Sequence, residues 1–307
     1  MSITFRHYTG PDDYRRVDAF LIEHHQPGNL DGNWLEPAWE YMHGHPCLDT
    51  SSLDKIGIWE DAGKIVAVVH YESSLGEAFF QFHPAYRHLR QEMLDYAEEA
   101  LAGPTRDGAG RYLKVYVNDS DVAFASLVKA RGYVKDVEEA RPLARFDIPD
   151  PIPAITLPAG FCLKSLADEC DWIKVHRLLW RGFDNLDEPT INDEELESRK
   201  KMFDTPKARP DLKIVTQAPN GDFVVLCGMF YEPTGRFALV EPVATDPDYR
   251  RMGLAKAAVL EGIRRCGVLG ATVIYVGADL EFYQVIGFRK VYDSECWVKC
   301  FNCHANE

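Results

Sequence analysis

The segment "DPDYRRMGLAKAAVLEGIRR", residues 246–265, joins an apolar run to a stretch that favours a helix. The first turn of a helix has unpaired backbone N–H groups and a partial positive charge, so it attracts anions. Gly253 has no Cβ, which allows an anion to approach the backbone closely. Arg250 and Arg251 add positive charge at the same point. The segment therefore predicts a phosphate-binding site where a helix begins.

The composition limits the kinds of partner that this chain can have. With 307 residues it is long enough for two domains, and its 46% hydrophobic and 27% charged residues are typical of globular proteins. A net charge of −14 argues against nucleic acid and anionic membrane surfaces as partners. No apolar run is long enough to span a membrane, and residues 1–16 do not resemble a signal peptide. We therefore expect a cytoplasmic protein with reduced cysteines.

The order of predicted elements repeats along the chain. Residues 149–160 are rich in proline and predict an extended linker. On both sides of this linker we predict a strand, a helix, a hairpin and a further strand before the segment that aligns 84–87 with 247–250. The hairpins turn at Asp61-Ala62-Gly63 and at Asn220-Gly221. A repeat of this length indicates a duplicated domain. We predict two α/β (α+β) domains, 1–148 and 161–307, each with a mixed, mostly antiparallel sheet flanked by helices.

The two copies differ where the second copy has its predicted phosphate site. Gly253 corresponds to Arg90 in the first copy, and Ala255 corresponds to Glu92. A bulky side chain and a carboxylate both disfavour a bound phosphate. The N-terminal copy is therefore predicted to be closed to an anion.

Two motifs carry a resemblance to a known family. The pattern Arg250-x-x-Gly253-x-Ala255 after a strand resembles the acyl-CoA signature of the GNAT superfamily of N-acetyltransferases. The stretch "EFYQVIGF" (281–288) resembles a later motif of that superfamily, in which a Tyr, here Tyr283, precedes a Gly-aromatic pair. Tandem members with one degenerate copy are known, mycothiol synthase among them. The resemblance implies two acyl-CoA N-acyltransferase domains in tandem, of which the C-terminal one is catalytic and the N-terminal one degenerate.

The resemblance also implies the co-substrate. Backbone N–H groups at the helix start would hold the pyrophosphate of acetyl-CoA, and the preceding strand would hydrogen-bond its pantetheine arm. The residues expected to bind acetyl-CoA are Val243, Ala244, Thr245, Arg250, Arg251, Met252, Gly253, Leu254, Ala255, Lys256 and Phe282. Pro242 fits a break in the sheet at this strand, because it cannot donate a ladder hydrogen bond.

Two residues are candidates for the chemistry of acetyl transfer. Tyr283 matches the family position of the acid that protonates the departing thiolate. Glu241 is the candidate base or ammonium anchor, and strand alternation puts it on the same face as Val243 and Thr245. Two simpler interpretations stay open: a core position for the Tyr283 ring and a solvated or structurally paired carboxylate at Glu241.

The acceptor is less well specified. Residues 184–197 hold seven acidic and no basic side chains, which favours a cationic amine if they border the acceptor cleft, and otherwise indicates a solvated loop or helix face. The sequence thus predicts an N-acetyltransferase, a monomer or homodimer, that acetylates a primary amine of a small, cationic acceptor. The alternative is a non-catalytic acyl-CoA sensor or interaction protein.

Near its C-terminus the chain has a pattern that occurs in haem and zinc proteins. Cys300, Cys303 and His304 match C-x-x-C-H, the pattern of covalent haem attachment. Haem attachment belongs to exported proteins, and one C-x-x-C pair without a second pair is a weak zinc signature. We therefore expect no metal site.

Overall fold

The computed structural model describes residues 3–185 and 187–301. They divide into two compact units. The first unit comprises 3–42, 47–143 and 291–301, and the second comprises 43–46, 144–185 and 187–290.

The first part of the chain has strands and helices in the predicted order, with one further helix before the hairpin. Its strands are β1 Ile3–His7, β2 Gly57–Asp61, β3 Lys64–His70, β4 Glu77–Phe82, β5 Gly103–Pro104, β6 Arg111–Asn118 and β7 Val134–Asp147. Its helices are α1 Pro11–Glu23, α2 Glu36–Gly44, α3 Arg90–Ala100 and α4 Val122–Ala130. The β2–β3 hairpin turns at Ala62 and Gly63, both with positive φ, as the sequence predicts.

The second part repeats this plan. Its strands are β8 Cys162–Ser165, β9 Lys213–Gln217, β10 Phe223–Glu232, β11 Phe237–Thr245, β12 Val273–Val276 and β13 Arg289–Phe301. Its helices are α5 Trp172–Gly182, α6 Asp193–Lys201, α7 Leu254–Val268 and α8 Glu281–Ile286. The β9–β10 hairpin turns through Gly221, again as predicted. Among the described residues, no helix combines the length and the hydrophobicity needed to cross a membrane.

Each unit has a mixed sheet covered by helices. In the first unit the strand order is β1-β2-β3-β4-β6-β13, with β4 and β6 parallel. In the second unit the order is β7-β12-β11-β10-β9-β8, with β11 and β12 parallel and the other pairs antiparallel. Apolar residues of α7, such as Ala258 and Ile263, are fully buried in the core of the second unit. This architecture is the mixed, mostly antiparallel sheet with flanking helices that the sequence predicts.

The unit boundaries differ from the predicted domains 1–148 and 161–307. The last strand, β13, pairs with β6 from Ser294↔Asn118 to Phe301↔Arg111, which places residues 291–301 in the first unit. The predicted linker 149–160 has no regular secondary structure, but it clusters with the second unit. Pairing between strands so distant in sequence leaves no local signal, and periodicity therefore does not reveal it.

A buried carboxylate fixes the start of the first unit. Asp13, in the first turn of α1, accepts hydrogen bonds from Arg6 Nη1 (2.7 Å) and Nη2 (2.6 Å) on β1. It also accepts from the backbone N and the hydroxyl of Thr9, both at 2.8 Å. Burial opposes the ionisation of Asp13, but these hydrogen bonds and the Arg6 charge outweigh it and lower its pKa to about 2. Asp13 therefore stabilises the junction of β1 and α1 as an ion.

We expect Asp13→Ala to lower the free energy of unfolding at pH 7 by about 2 kcal/mol, because the hydrogen bonds from Arg6 and Thr9 to the carboxylate are lost while Arg6 keeps its ion pair with Glu60. Since the pKa of Asp13 is lowered on folding, its contribution is fully present above about pH 4 and disappears as the pH falls toward 2. Urea unfolding at pH 7 and at pH 3 measures both effects. The matched control is Asp12→Ala in the same helical turn, where the carboxylate is 88% exposed. Equal losses in the two variants would contradict this assignment.

Candidate functional site

The candidate site lies where β11 and β12 separate. The two strands pair only from Phe237↔Val273 to Leu239↔Tyr275, although β11 continues to Thr245. On its other side, β11 stays paired with β10 as far as Thr245↔Val225. The β12-facing backbone of the second half of β11 therefore has no strand partner among the described residues. Such an edge is able to hydrogen-bond an extended ligand.

A bulge accompanies this separation. The register of β10 against β11 shifts between Cys227 and Met229, so that Gly228 lies opposite Glu241 and Pro242. A Cβ on Gly228 would approach the Glu241 carbonyl oxygen to 2.1 Å, which only glycine avoids. Pro242 has no N–H to donate to the ladder. Both residues fit the break in the sheet that Pro242 predicts.

The loop before α7 has the backbone shape of an anion cradle. Arg251 has φ 63° and Gly253 has φ 78°, both in the left-handed region, and α7 begins at Leu254. No side chain caps this helix start. Successive N–H groups in such a loop, together with those of the first helical turn, converge on a bound anion. The first unit has no such loop, since a 3₁₀ helix from Pro84 to Leu89 leads directly into α3.

A cleft of about 460 Å³ opens at this loop. Its lining residues are Thr245, Tyr249, Arg250, Arg251, Gly253, Leu254, Ala255, Lys256 and Phe282. Apart from Tyr249, all of them belong to the predicted acetyl-CoA set. Met252 lines an adjoining cavity of about 400 Å³, which shares Gly253 and Lys256 with the cleft. Val243 and Ala244 lie on β11, with Ala244 buried. The structure thus brings most of the predicted binding residues around one cleft.

Arg250 has a protein partner that sequence reasoning missed. Its Nη2 lies 2.7 Å from Asp184 Oδ1 and 3.2 Å from the Gly182 carbonyl oxygen. In this arrangement the guanidinium connects the end of α5 to the cleft. Arg250, Arg251 and Lys256 are all exposed and all line the cleft. Asp184, the first acidic residue of the stretch 184–197, is therefore paired with Arg250. Three further acids, Asp193–Glu195, form the first turn of α6, where the helix dipole favours them.

The end of α8 fixes the position of Tyr283. Gly287 has φ 120°, and the N–H groups of Gly287 and Phe288 both donate to the Tyr283 carbonyl oxygen, at 3.1 and 3.0 Å. This C-terminal turn explains why a Gly-aromatic pair follows the tyrosine. The Tyr283 ring packs edge-on against Phe282 and Phe288, with centroids 4.9 and 5.5 Å away. The side chain is almost buried, at 7% exposure, so its ring is also part of the core.

Electrostatics keep the Tyr283 hydroxyl protonated. Burial raises its pKa well above the ordinary phenol value, and the negative charge of Glu241 adds to this effect. Glu241 is therefore close enough to interact with Tyr283. Along β11, Glu241, Val243 and Thr245 are half-buried whereas Pro242 and Ala244 are buried. This alternation places Glu241 on the face that the sequence predicts.

The corresponding corner of the first unit is filled by its own side chains. Arg90 is buried, forms an ion pair with Asp121 and lies over the rings of Phe82 and Phe124, at 5.0 and 5.3 Å. Glu92 accepts a hydrogen bond from Trp59 Nε1 at 2.7 Å. Both residues predicted to close this corner thus have partners within the unit.

Asn33 closes the same corner, and sequence reasoning missed it. Its Oδ1 accepts from the Phe82 N–H and its Nδ2 donates to the Phe82 carbonyl oxygen, both at 3.0 Å. The end of β4 therefore already has partners on the side where β4 leaves β6. Asn33 lies in the connection between α1 and α2, and no motif in that segment predicts its contact with Phe82.

Among the described residues, no group of three or more His, Cys, Asp or Glu side chains is arranged to hold a metal ion. Cys303 and His304 of the C-x-x-C-H pattern lie outside the described residues.

Comparisons with known proteins identify the fold. Residues 172–288 match the model of the Acetyltransferase (GNAT) family. No curated protein gives a significant sequence match. Among solved structures, a GCN5-related N-acetyltransferase from Sphaerobacter thermophilus has a TM-score of 0.64 at 16% identity, covering 97% of this chain and 95% of the other.

Two further structures are also similar over both units. A tandem GNAT protein from the clavulanic acid biosynthesis pathway has a TM-score of 0.61 at 13% identity, covering 97% of this chain and 98% of the other. N-myristoyltransferase of Saccharomyces cerevisiae, with bound myristoyl-CoA, has a TM-score of 0.56 at 13% identity, covering 98% and 78%. The chain thus has the fold of a tandem GNAT protein.

We expect Gly253→Ala to weaken the binding of coenzyme A at least tenfold, because a methyl group would project into the open space at the loop, where the anion would bind, and would strain the left-handed backbone. Titration calorimetry with coenzyme A measures the affinity. The control is Gly63→Ala, since Gly63 has φ 77° and, like Gly253, no atom within 4 Å of its added Cβ. Each variant should lose about 1 kcal/mol of stability. Equal affinity of the two variants for coenzyme A would refute the cradle.

Proposed function

We propose that this protein, whose residues 172–288 match the model of the Acetyltransferase (GNAT) family, transfers an acetyl group from acetyl-CoA to a primary amine of a small, cationic acceptor. The GNAT fold supports acyl-CoA-dependent acyl transfer in general. The observation that carries the proposal is the uncapped start of α7, which opens into the same cleft as the free edge of β11. A pyrophosphate and an extended arm need these two surfaces side by side.

The residues of the cleft fit coenzyme A as a substrate. Gly253 and the first turn of α7 offer N–H groups to the pyrophosphate, and Arg251 and Lys256 offer positive charge. The β12-facing edge of β11 offers backbone groups to the amides of the pantetheine arm. The thioester would then lie toward Glu241 and Tyr283.

In the reaction, the acceptor nitrogen bonds to the thioester carbonyl carbon and the C–S bond breaks. The ammonium group of the acceptor must first lose a proton, and Glu241 is the carboxylate on the open face of β11 that holds the ammonium or accepts this proton. The departing thiolate needs a hydrogen-bond donor. Tyr283 fills that role, because its raised pKa keeps the hydroxyl protonated at neutral pH. Positioning of the two substrates supplies much of the remaining acceleration.

The first unit has a structural role in this proposal. Arg90 and Asn33 occupy the places that coenzyme A would need. Release of coenzyme A from acetyl-CoA in the presence of amines, amino sugars, amino acids and peptides tests the function. Acceptor-dependent release supports it, and binding of acetyl-CoA without release would favour a non-catalytic acyl-CoA sensor.

We expect Tyr283→Phe to lower kcat about 100-fold while the affinity for acetyl-CoA changes little, because only the hydroxyl that faces the thiolate is removed. Since burial raises the pKa of Tyr283 above 10, the unmodified protein should show no loss of activity from this group between pH 8 and 10. The control is Tyr231→Phe, which removes a hydroxyl that donates to the Leu269 carbonyl oxygen at 2.8 Å. Similar kcat values for both variants would rule out this role.

We expect Glu241→Gln to lower kcat/KM for a cationic amine at least tenfold, because the amide neither attracts an ammonium group nor accepts its proton. The KM for acetyl-CoA should stay within twofold. Steady-state kinetics with each substrate varied in turn separate the two effects. Asp222→Asn, which removes an exposed carboxylate at the β9–β10 turn, controls for the change in overall charge. A loss confined to acetyl-CoA binding would contradict the role of Glu241.

A further inference from the structure

Gly277 follows β12 directly and faces the gap between β11 and β12. An added Cβ on Gly277 would have a single neighbour within 4 Å, Glu241 Oε1 at 3.8 Å. The residue is exposed, so it is not part of the packed core. The position thus borders the carboxylate that we assign to the acceptor amine.

The fold does not require glycine at this position. The backbone of Gly277 lies outside the left-handed region, so a side chain there would not be strained. A Cβ at 3.8 Å from its nearest neighbour makes ordinary van der Waals contact. By contrast, an added Cβ would approach Glu241 O to 2.1 Å at Gly228, and Ala244 Cβ to 2.9 Å at Gly182. Those two glycines are needed for packing, whereas Gly277 is not.

We propose that Gly277 sets the acceptor specificity, because it leaves room beside Glu241 for the acceptor carbon that carries the amine. This inference rests on the proposed function and refines its substrate class. An acceptor whose ammonium meets Glu241 must place the adjoining carbon, and any branch on it, in the space where a side chain at 277 would be. The enzyme therefore acts on primary amines with a branched amine-bearing carbon as well as on unbranched ones.

A side chain at position 277 should make the enzyme prefer amines whose amine-bearing carbon is unbranched. For Gly277→Ala and Gly277→Val, the kcat/KM for 2,5-diaminohexane, divided by that for 1,4-diaminobutane, should fall progressively, by about tenfold or more in the valine variant. These two diamines carry the same charge and differ by one methyl group on each amine-bearing carbon. The KM for acetyl-CoA should not change, because the thioester side of the cleft is untouched. Coupled detection of released coenzyme A measures kcat/KM for both diamines and KM for acetyl-CoA.

Gly267→Ala is the matched control. Gly267 is also outside the left-handed region, and its added Cβ would lie 3.6 Å or more from its neighbours, Ile148 and Ile152. This variant should keep the ratio of the unmodified enzyme. An unchanged ratio in both Gly277 variants, with turnover retained, would overturn the inference and leave the proposed function intact. Absence of amine-dependent release from the unmodified enzyme would overturn the proposed function, and this inference with it.

Discussion

The early end of pairing between two parallel strands is the constraint on which the candidate site depends. β11 and β12 share hydrogen bonds only as far as Leu239, while β11 remains held by β10 up to Thr245. The bulge at Gly228 and the missing N–H of Pro242 belong to this separation. The free edge of β11, the start of α7 that follows it and the α8 turn that follows β12 then surround one opening.

The two units show how one fold gains or loses a binding site by local changes. Both separate a parallel strand pair early, after Leu239 in the second unit and after Ala78 in the first. In the second unit, the left-handed residues Arg251 and Gly253 keep a short loop open before the helix. In the first, Arg90 lies in the core and Asn33 bonds to the strand end. The two units therefore share one architecture, and they differ at the candidate site by a few side chains and one loop.

Much of this was predictable from the sequence because its causes are local. Hairpin turns with glycine, the alternation along β11 and the glycine before α7 all act within a few residues. The remaining features come from pairs far apart in sequence, such as Arg250 with Asp184, Asn33 with Phe82 and β13 with β6. No periodicity or motif encodes such pairs, since each partner by itself is an ordinary polar or apolar residue.

The path of β13 has a consequence for how the chain is made. Tyr116 on β6 pairs with Cys296, so β6, an internal strand of the first unit, meets this neighbour only after the intervening second unit has been synthesised. During translation, the edge of β6 that pairs with β13 therefore stays unpaired while the second unit is synthesised. Completion of the sheet in the first unit is thus coupled to synthesis of the second unit, and an N-terminal fragment that ends within 149–160 would lack β13 beside β6.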